Sequence, residues 1–382
     1  MRKNLVVSLF VFTIIFTMMC SSLVMASPST NGKTNTASIV TYDEMIHELN
    51  KLVHTSKNKI EVFTLEDLGY EVSKSEQGRD LYVAKVGNGP TKIWIQSRIH
   101  GDEPYGLESS LQILKNLGSN SSKYYEEMLE ELTMYFIPMY NPDGSEMNIR
   151  QTMLIDEATG EPRLGSNGRP IFIDLNRDWA LNQFHAKESK AFYAYWADIQ
   201  PDFAIDIHHQ GLKNMPDSDK PATMSLGISL APGGPTLPSL ANYDELTRQM
   251  QAYVYENISK YGHINIDRYN VRSGQNYYEI DIKGGVVSAM MLGLDYEGLN
   301  PTNHSNPAIF FETSGNTREG NLGQKSRGSL IRQNTEGIET LLYGIASGEV
   351  YEADPDRWYD IPSVTLSGYF TDYNGIIPTS GY

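Results

Sequence analysis

His100-Gly101-Asp102-Glu103 places an imidazole and a carboxylate three residues apart, a spacing that lets both reach one divalent ion. The pair lies where the apolar run Ile93 to Ile99 gives out and a helix of about Pro104 to Leu117 begins, with Pro104 suited to its first turn. Strand ends of this kind are where open α/β sheets hold ligands. His185 and Glu188 repeat the spacing, but at the start of a helix rich in Lys, Phe and Tyr, where a solvated face is the simpler expectation. A third donor has to come from elsewhere, and Asp206-Ile207-His208-His209 closes another apolar strand. Adjacent strand residues face opposite sides, so only one of the two histidines can join the same ion. His208 shares its side with Asp206, whereas His209 follows Phe203, Ile205 and Ile207, which selects His208. Two histidines and one glutamate leave a position for water, the pattern of catalytic zinc.

Two further groups bear on chemistry. Glu312 ends the apolar run Ile309-Phe310-Phe311 and at a sheet rim near a metal would serve as a general base; an exposed strand-end carboxylate is the plainer alternative. Asp174-Leu175-Asn176-Arg177-Asp178-Trp179 sets a guanidinium beside an amide, suited to a carboxylate ligand, although Arg177 would also pair structurally with Asp178 or Asp174. Other hydrolase chemistries find no footing. There is no G-x-S-x-G elbow, His47-Glu48 is followed by Lys51 where a His-Glu-x-x-His site needs histidine, and Gly87-Asn88-Gly89 lacks the third glycine of a dinucleotide loop. The single cysteine, Cys20, excludes a disulfide framework and Cys-rich metal sites, so any ion is held by His and carboxylates.

Elements able to position these groups are legible along the chain. Thr41-Tyr42-Asp43-Glu44 is a capping box opening a first helix, followed by strand-like runs at 60–65, 81–86, 93–99 and 134–139. Asn141-Pro142-Asp143-Gly144 reads as a turn. Helices are expected at 186–199, 240–260 and 330–345, with strands at 202–208 and 308–312, whereas Leu212 to Leu240, rich in Pro, Gly and Ser, reads as an inserted loop. The alternation predicts an α/β domain over residues 40–348 with a mixed sheet. The chain has 382 residues, 40% of them hydrophobic, enough for a sizeable core. Its 31 Lys and Arg against 47 Asp and Glu give a net charge of −16, which argues against nucleic acid or an anionic membrane surface as partner. Residues 1–26 read as a signal peptide: Arg2 and Lys3, an apolar stretch from Leu5 to Met19, and a small-residue exit at Val24-Met25-Ala26. Cleavage after Ala26 predicts a secreted protein with a flexible lead-in over 27–39; retention of the apolar stretch as a membrane anchor is the alternative. Residues 349–382 form a C-terminal tail with no functional reading.

Taken in order, His100-x-x-Glu103, Asn141-Pro142-Asp143-Gly144 with Arg150 after it, Asn176-Arg177, Asp206-x-His208 and Phe311-Glu312-Thr313 resemble the zinc carboxypeptidase A family over residues 40–348. The resemblance implies a single domain with a mixed, twisted sheet of roughly eight strands flanked by helices. It implies one zinc ion on His100, Glu103 and His208, Arg150 at the oxyanion, Asn176 and Arg177 on the substrate's terminal carboxylate, and Glu312 as base for a zinc-activated water. Arg163 and Arg169 compete with Arg150. The family's mobile tyrosine has candidates in Tyr277, Tyr278 and Tyr296, with Tyr296 preferred, and Glu279, Asp281, Asp295 and Glu297 are candidates for a side-chain pocket. The implied activity is removal of C-terminal residues from peptides or proteins with a free C-terminus. A cell-wall peptidase cutting γ-D-glutamyl to diamino-acid bonds and a non-catalytic peptide-binding protein are the alternatives.

Overall fold

The computed structural model describes residues 38–234, 236, 237, 240, 242–315, 327–371 and 375–378. The expected signal peptide and all but the last two residues of the lead-in lie outside them. Eight strands form the central sheet: β1 (Ile60–Thr64), β2 (Tyr82–Val86), β3 (Thr91–Ser97), β4 (Leu132–Ile137), β7 (Phe203–Gln210), β8 (Met224–Gly227), β9 (Ile266–Arg268) and β12 (Ala308–Ser314). Their order is β1-β2-β4-β3-β7-β12-β8-β9. The sheet is mixed, with β4, β3, β7 and β12 running parallel at its centre. β5 (Thr152–Met153) pairs with β6 (Phe172–Ile173), and β10 (Val271–Ser273), β11 (Asn276–Asp281), β13 (Gly368–Thr371) and β14 (Gly375–Pro378) make a second sheet.

The central strands are buried on both faces, which is why they read as near-continuous apolar runs. One core packs the odd-numbered side chains of β7, Phe203, Ile205 and Ile207, against helices 42–55, 105–119, 243–258 and 327–347. The other lies under helices 187–199 and 286–292 and includes Ala204, Trp94, Trp179 and Trp196. The first helix starts with the expected capping box, Thr41 accepting from the Glu44 amide while Glu44 reaches back to the Thr41 amide at 2.9 Å. Because β3, β7 and β12 are parallel, their carboxyl ends deliver His100, His208 and Glu312 to one edge, with Glu312 directly beside His208 in the register. Among the described residues no helix is long and apolar enough to cross a membrane.

Several expectations are corrected. The stretch 212–240 is not all loop: Met224–Gly227 is a strand of the central sheet, where the small Gly227 lets the Phe310 ring pack against the backbone. Asn141-Pro142-Asp143-Gly144 is not a free turn but the start of a short helix, with Asn141 as its cap accepting from the Gly144 amide at 2.8 Å. The tail is tied in, since Val350, Trp358 and Ile361 enter the core and β13 pairs with β11.

Glu188 also departs from its expected solvated face. It is fully buried, one oxygen accepting from Thr152 Oγ1 at 2.9 Å and the other without a partner among the described residues. Burial, with Asp143 and Glu76 nearby, pushes its carboxyl up to about 8. A raised carboxyl pKa contributes stability that is complete below the unfolded value of 4.5 and is lost as pH rises through about 8. Glu188→Gln is therefore expected to leave stability unchanged near pH 4 and to raise it at pH 9 by about 1–3 kcal/mol, the cost of an unsatisfied buried group. Denaturant unfolding at both pH values checks this; equal stability of the two proteins at pH 9 would contradict it.

Candidate active site

The loop after β3 and the end of β7 bring His100, Glu103 and His208 together, all buried, with donor atoms within 4.8 Å of one another. Among the described residues they are the one such group. Glu103 sits between the imidazoles: Oε1 is 2.9 Å from His100 Nδ1 and Oε2 is 3.1 Å from His208 Nδ1. The opposite ring nitrogens are each backed by a carboxylate, His100 Nε2 by Asp174 at 3.3 Å and His208 Nε2 by Asp206 at 2.8 Å. Carboxylates behind metal-bound histidines fix ring orientation and raise ligand basicity. Against the opposing effect of burial, His100 and His208 hold the Glu103 carboxyl well below its ordinary range. The donor set, two inward-facing Nδ1 atoms and one carboxylate, fits zinc with a position left for water. His209 takes no part: its Nε2 accepts from the Tyr105 amide, its Nδ1 lies 2.5 Å from the Gly315 carbonyl, and burial pulls its pKa down to about 4. His185 of the decoy pair is bound instead to Asp178 at 2.9 Å.

Asp174 organises the cationic side of the cleft. It caps the short turn Leu175–Arg177, its Oδ1 accepting from the Asn176 amide at 3.0 Å, while Oδ2 accepts from Arg150 Nε at 2.9 Å. Arg150 thus lies alongside the donors, Nη1 being 3.5 Å from Glu103 Oε1 and 3.2 Å from His100 Nδ1. Arg163 and Arg169 are exposed on the excursion between Arg150 and Asp174, which leaves Arg150 as the arginine facing the cleft from this segment. Asn176 Oδ1 accepts from the Val286 amide at 2.9 Å, so its Nδ2 is the end turned to the site. Arg177 Nη1 donates to the Asn176 carbonyl at 2.6 Å; Asp178 caps the amides of His185 and Ala186 instead of pairing with Arg177.

His100, Glu103, Arg150, Asn176, Arg177, His208 and Glu312 line one cleft, with a volume of about 70 Å³. Glu312 is 7% exposed and its Oε2 has no hydrogen-bond partner among the described residues. Burial pushes its carboxyl up to about 7, Glu103 adding to the effect and His208 opposing it. The tyrosine at the cleft is Tyr269, just beyond β9, its ring edge-on to Phe310 with centroids 5.0 Å apart. The preferred Tyr296 stacks on Phe184 at 4.4 Å, away from the cleft, and Tyr277 and Tyr278 belong to β11. The four acidic candidates do not line this cleft either. Asp281 holds the loop at Ala231 and Thr236, Glu279 faces Arg268 at 3.9 Å, and Asp295 and Glu297 are exposed; none lines the cleft, where Ser229, Ile282 and Phe310 appear instead.

Fold and site together define an α/β protein with a His-Glu-His centre at the carboxyl edge of its sheet. Residues 67–222 match the family described as zinc carboxypeptidase. The matched segment carries His100, Glu103, Arg150, Asn176, Arg177 and His208. Carboxypeptidase 2 of Trichophyton tonsurans is 35% identical over 81 residues, covering 19% of this chain and 15% of that protein. Carboxypeptidase B of Astacus astacus is 29% identical over 163 residues, 41% of this chain and 49% of that protein. This chain therefore spans less than half the length of these relatives. The solved carboxypeptidase A of Helicoverpa armigera is similar in fold, with a TM-score of 0.53 at 14% identity, covering 88% of this chain and 79% of the other.

Proposed function

We propose that the protein is a secreted zinc metallocarboxypeptidase that hydrolyses the last peptide bond of peptides or proteins with a free C-terminus. One observation carries this reading: the donors His100, Glu103 and His208, the cations Arg150 and Arg177, and Glu312 all line the same cleft. When bound there, a single zinc ion supplies Lewis acidity toward a water molecule and the scissile carbonyl. Arg177 and the outward amide of Asn176 bind the terminal carboxylate, placing the last peptide bond between the metal donors and Glu312. Glu312 takes the proton of the attacking water and returns it to the leaving amine. Arg150, held by Asp174, donates toward the carbonyl oxygen as negative charge builds on it. Export rests on the charged, apolar and small-residue order of residues 1–26.

The test is a mass-spectrometric time course on mixed peptides and muropeptides, with and without a zinc chelator. Loss of single C-terminal residues, abolished by chelation, is the expected result. Cleavage restricted to γ-linked wall peptides would replace the substrate class with the cell-wall alternative. Zinc binding without any cleavage would leave a binding role.

A further inference from the structure

Arg98 lies two residues before His100, yet it turns away from the cleft and is 2% exposed. Its guanidinium is occupied by backbone: Nη1 donates to the Val40 carbonyl at 2.7 Å, Nε to the Gly101 carbonyl at 3.3 Å and Nη2 to the Ser145 carbonyl at 3.4 Å. Those carbonyls belong to the segment entering the first helix, to the turn joining His100 to Glu103, and to the helix 142–147 on which that turn rests. The Arg98 backbone is left-handed, with φ of 56°, a conformation disfavoured for any residue bearing a Cβ. Its own carbonyl accepts from the Asn141 amide at 3.1 Å. Gly101 in turn presses on bare backbone: a Cβ there would fall 2.1 Å from the Gly144 carbonyl carbon. The ligand loop is thus fixed from below by contact with the helix and from within by the Arg98 fork. Asp102, Glu108 and Glu146 provide the surrounding negative charge.

We propose that Arg98 is a positioning residue for the metal donors, its guanidinium fixing the Gly101 carbonyl and so the separation of His100 from Glu103 before an ion arrives. The inference rests on the reading of His100, Glu103 and His208 as a zinc centre. Only a guanidinium offers donors spread widely enough for three carbonyls; a lysine ammonium, a single point of charge, reaches fewer. A positive φ retained at a buried arginine, where glycine would relax the turn, is explained by the work of its side chain.

Zinc dissociation constants measured by competition with a chromophoric chelator, on full-length wild type, Arg98→Lys and Arg98→Met, test the idea. Unfolding of the zinc-free proteins is followed separately, so that affinity is assigned to folded molecules. Zinc binding is expected to weaken by about 10–100-fold in Arg98→Met, the range seen when outer partners of ligands are lost, with Arg98→Lys in between. A role confined to fold stability would lower the unfolding midpoint and leave the zinc affinity of the folded protein unchanged, which overturns the proposal. Should Arg98→Met not fold, the Arg98→Lys affinity decides: weakened binding supports the proposal and wild-type binding overturns it. Wild type that binds no zinc would instead bring down the metal-centre reading, and this inference with it.

Discussion

Glu312→Gln is expected to lower kcat/KM by about 10²–10⁴-fold, the contribution of a positioned general base, while zinc content stays at the wild-type level. Glutamine keeps the volume and the strand register beside His208 and Ser225, so β12 is not disturbed. What it removes is the proton acceptor of the proposed mechanism: Glu312 lines the cleft, and its buried Oε2 has no partner among the described residues. Burial pushes the Glu312 carboxyl up to about 7, and a bound cation favours the charged form. The acidic limb of the rate profile is therefore expected at or below that pH, rising as the carboxylate forms, and should be absent from whatever turnover the glutamine variant retains. Full turnover in Glu312→Gln would place the base elsewhere. Loss of zinc together with turnover would mean that Glu312 serves the metal centre and not proton transfer.

The donors were legible in the sequence because strand alternation is a strong local rule: once Phe203, Ile205 and Ile207 face one core, His208 must face the other side with Asp206. A different local reading misled at Glu188: the Lys, Phe and Tyr of its helix suggested a solvated face, while its surroundings come from Asp143 and Glu76, distant in sequence. His100 and Glu103 both lie in the loop before a helix, whereas His185 precedes a helix that already contains Glu188. Identical spacing therefore yields two different geometries. Tyr269 escaped notice because nothing local distinguishes it; it reaches the cleft only because β9 pairs with β8, and β8 was itself hidden among Pro, Gly and Ser. Asp174 was visible as a charge next to Arg177, but its actual partners, Arg150 and His100, are set by the long excursion that brings both ends of 150–174 together. Short-range pattern singled out several of the groups that meet at the cleft, and tertiary contact assigned the residues that orient them.

The face assignment can be tested most sharply with two neighbouring histidines. His208→Ala should abolish zinc retention, weakening binding beyond the roughly 10–100-fold that loss of an outer partner costs, and turnover should vanish with the metal. The two remaining donors, His100 and Glu103, come from a single loop, so the centre would lose the one donor that β7 supplies. His209→Ala removes a ring of equal size one residue away, but one whose nitrogens are engaged with the Tyr105 amide and the Gly315 carbonyl. That variant should keep its zinc and lose stability by about 1–3 kcal/mol, because the Tyr105 amide is left buried without a partner. Zinc analysis of the purified proteins and denaturant unfolding read the two effects independently. The reverse result, zinc lost from His209→Ala and kept by His208→Ala, would require the other face of β7 to carry the metal, with Asp206 left backing nothing.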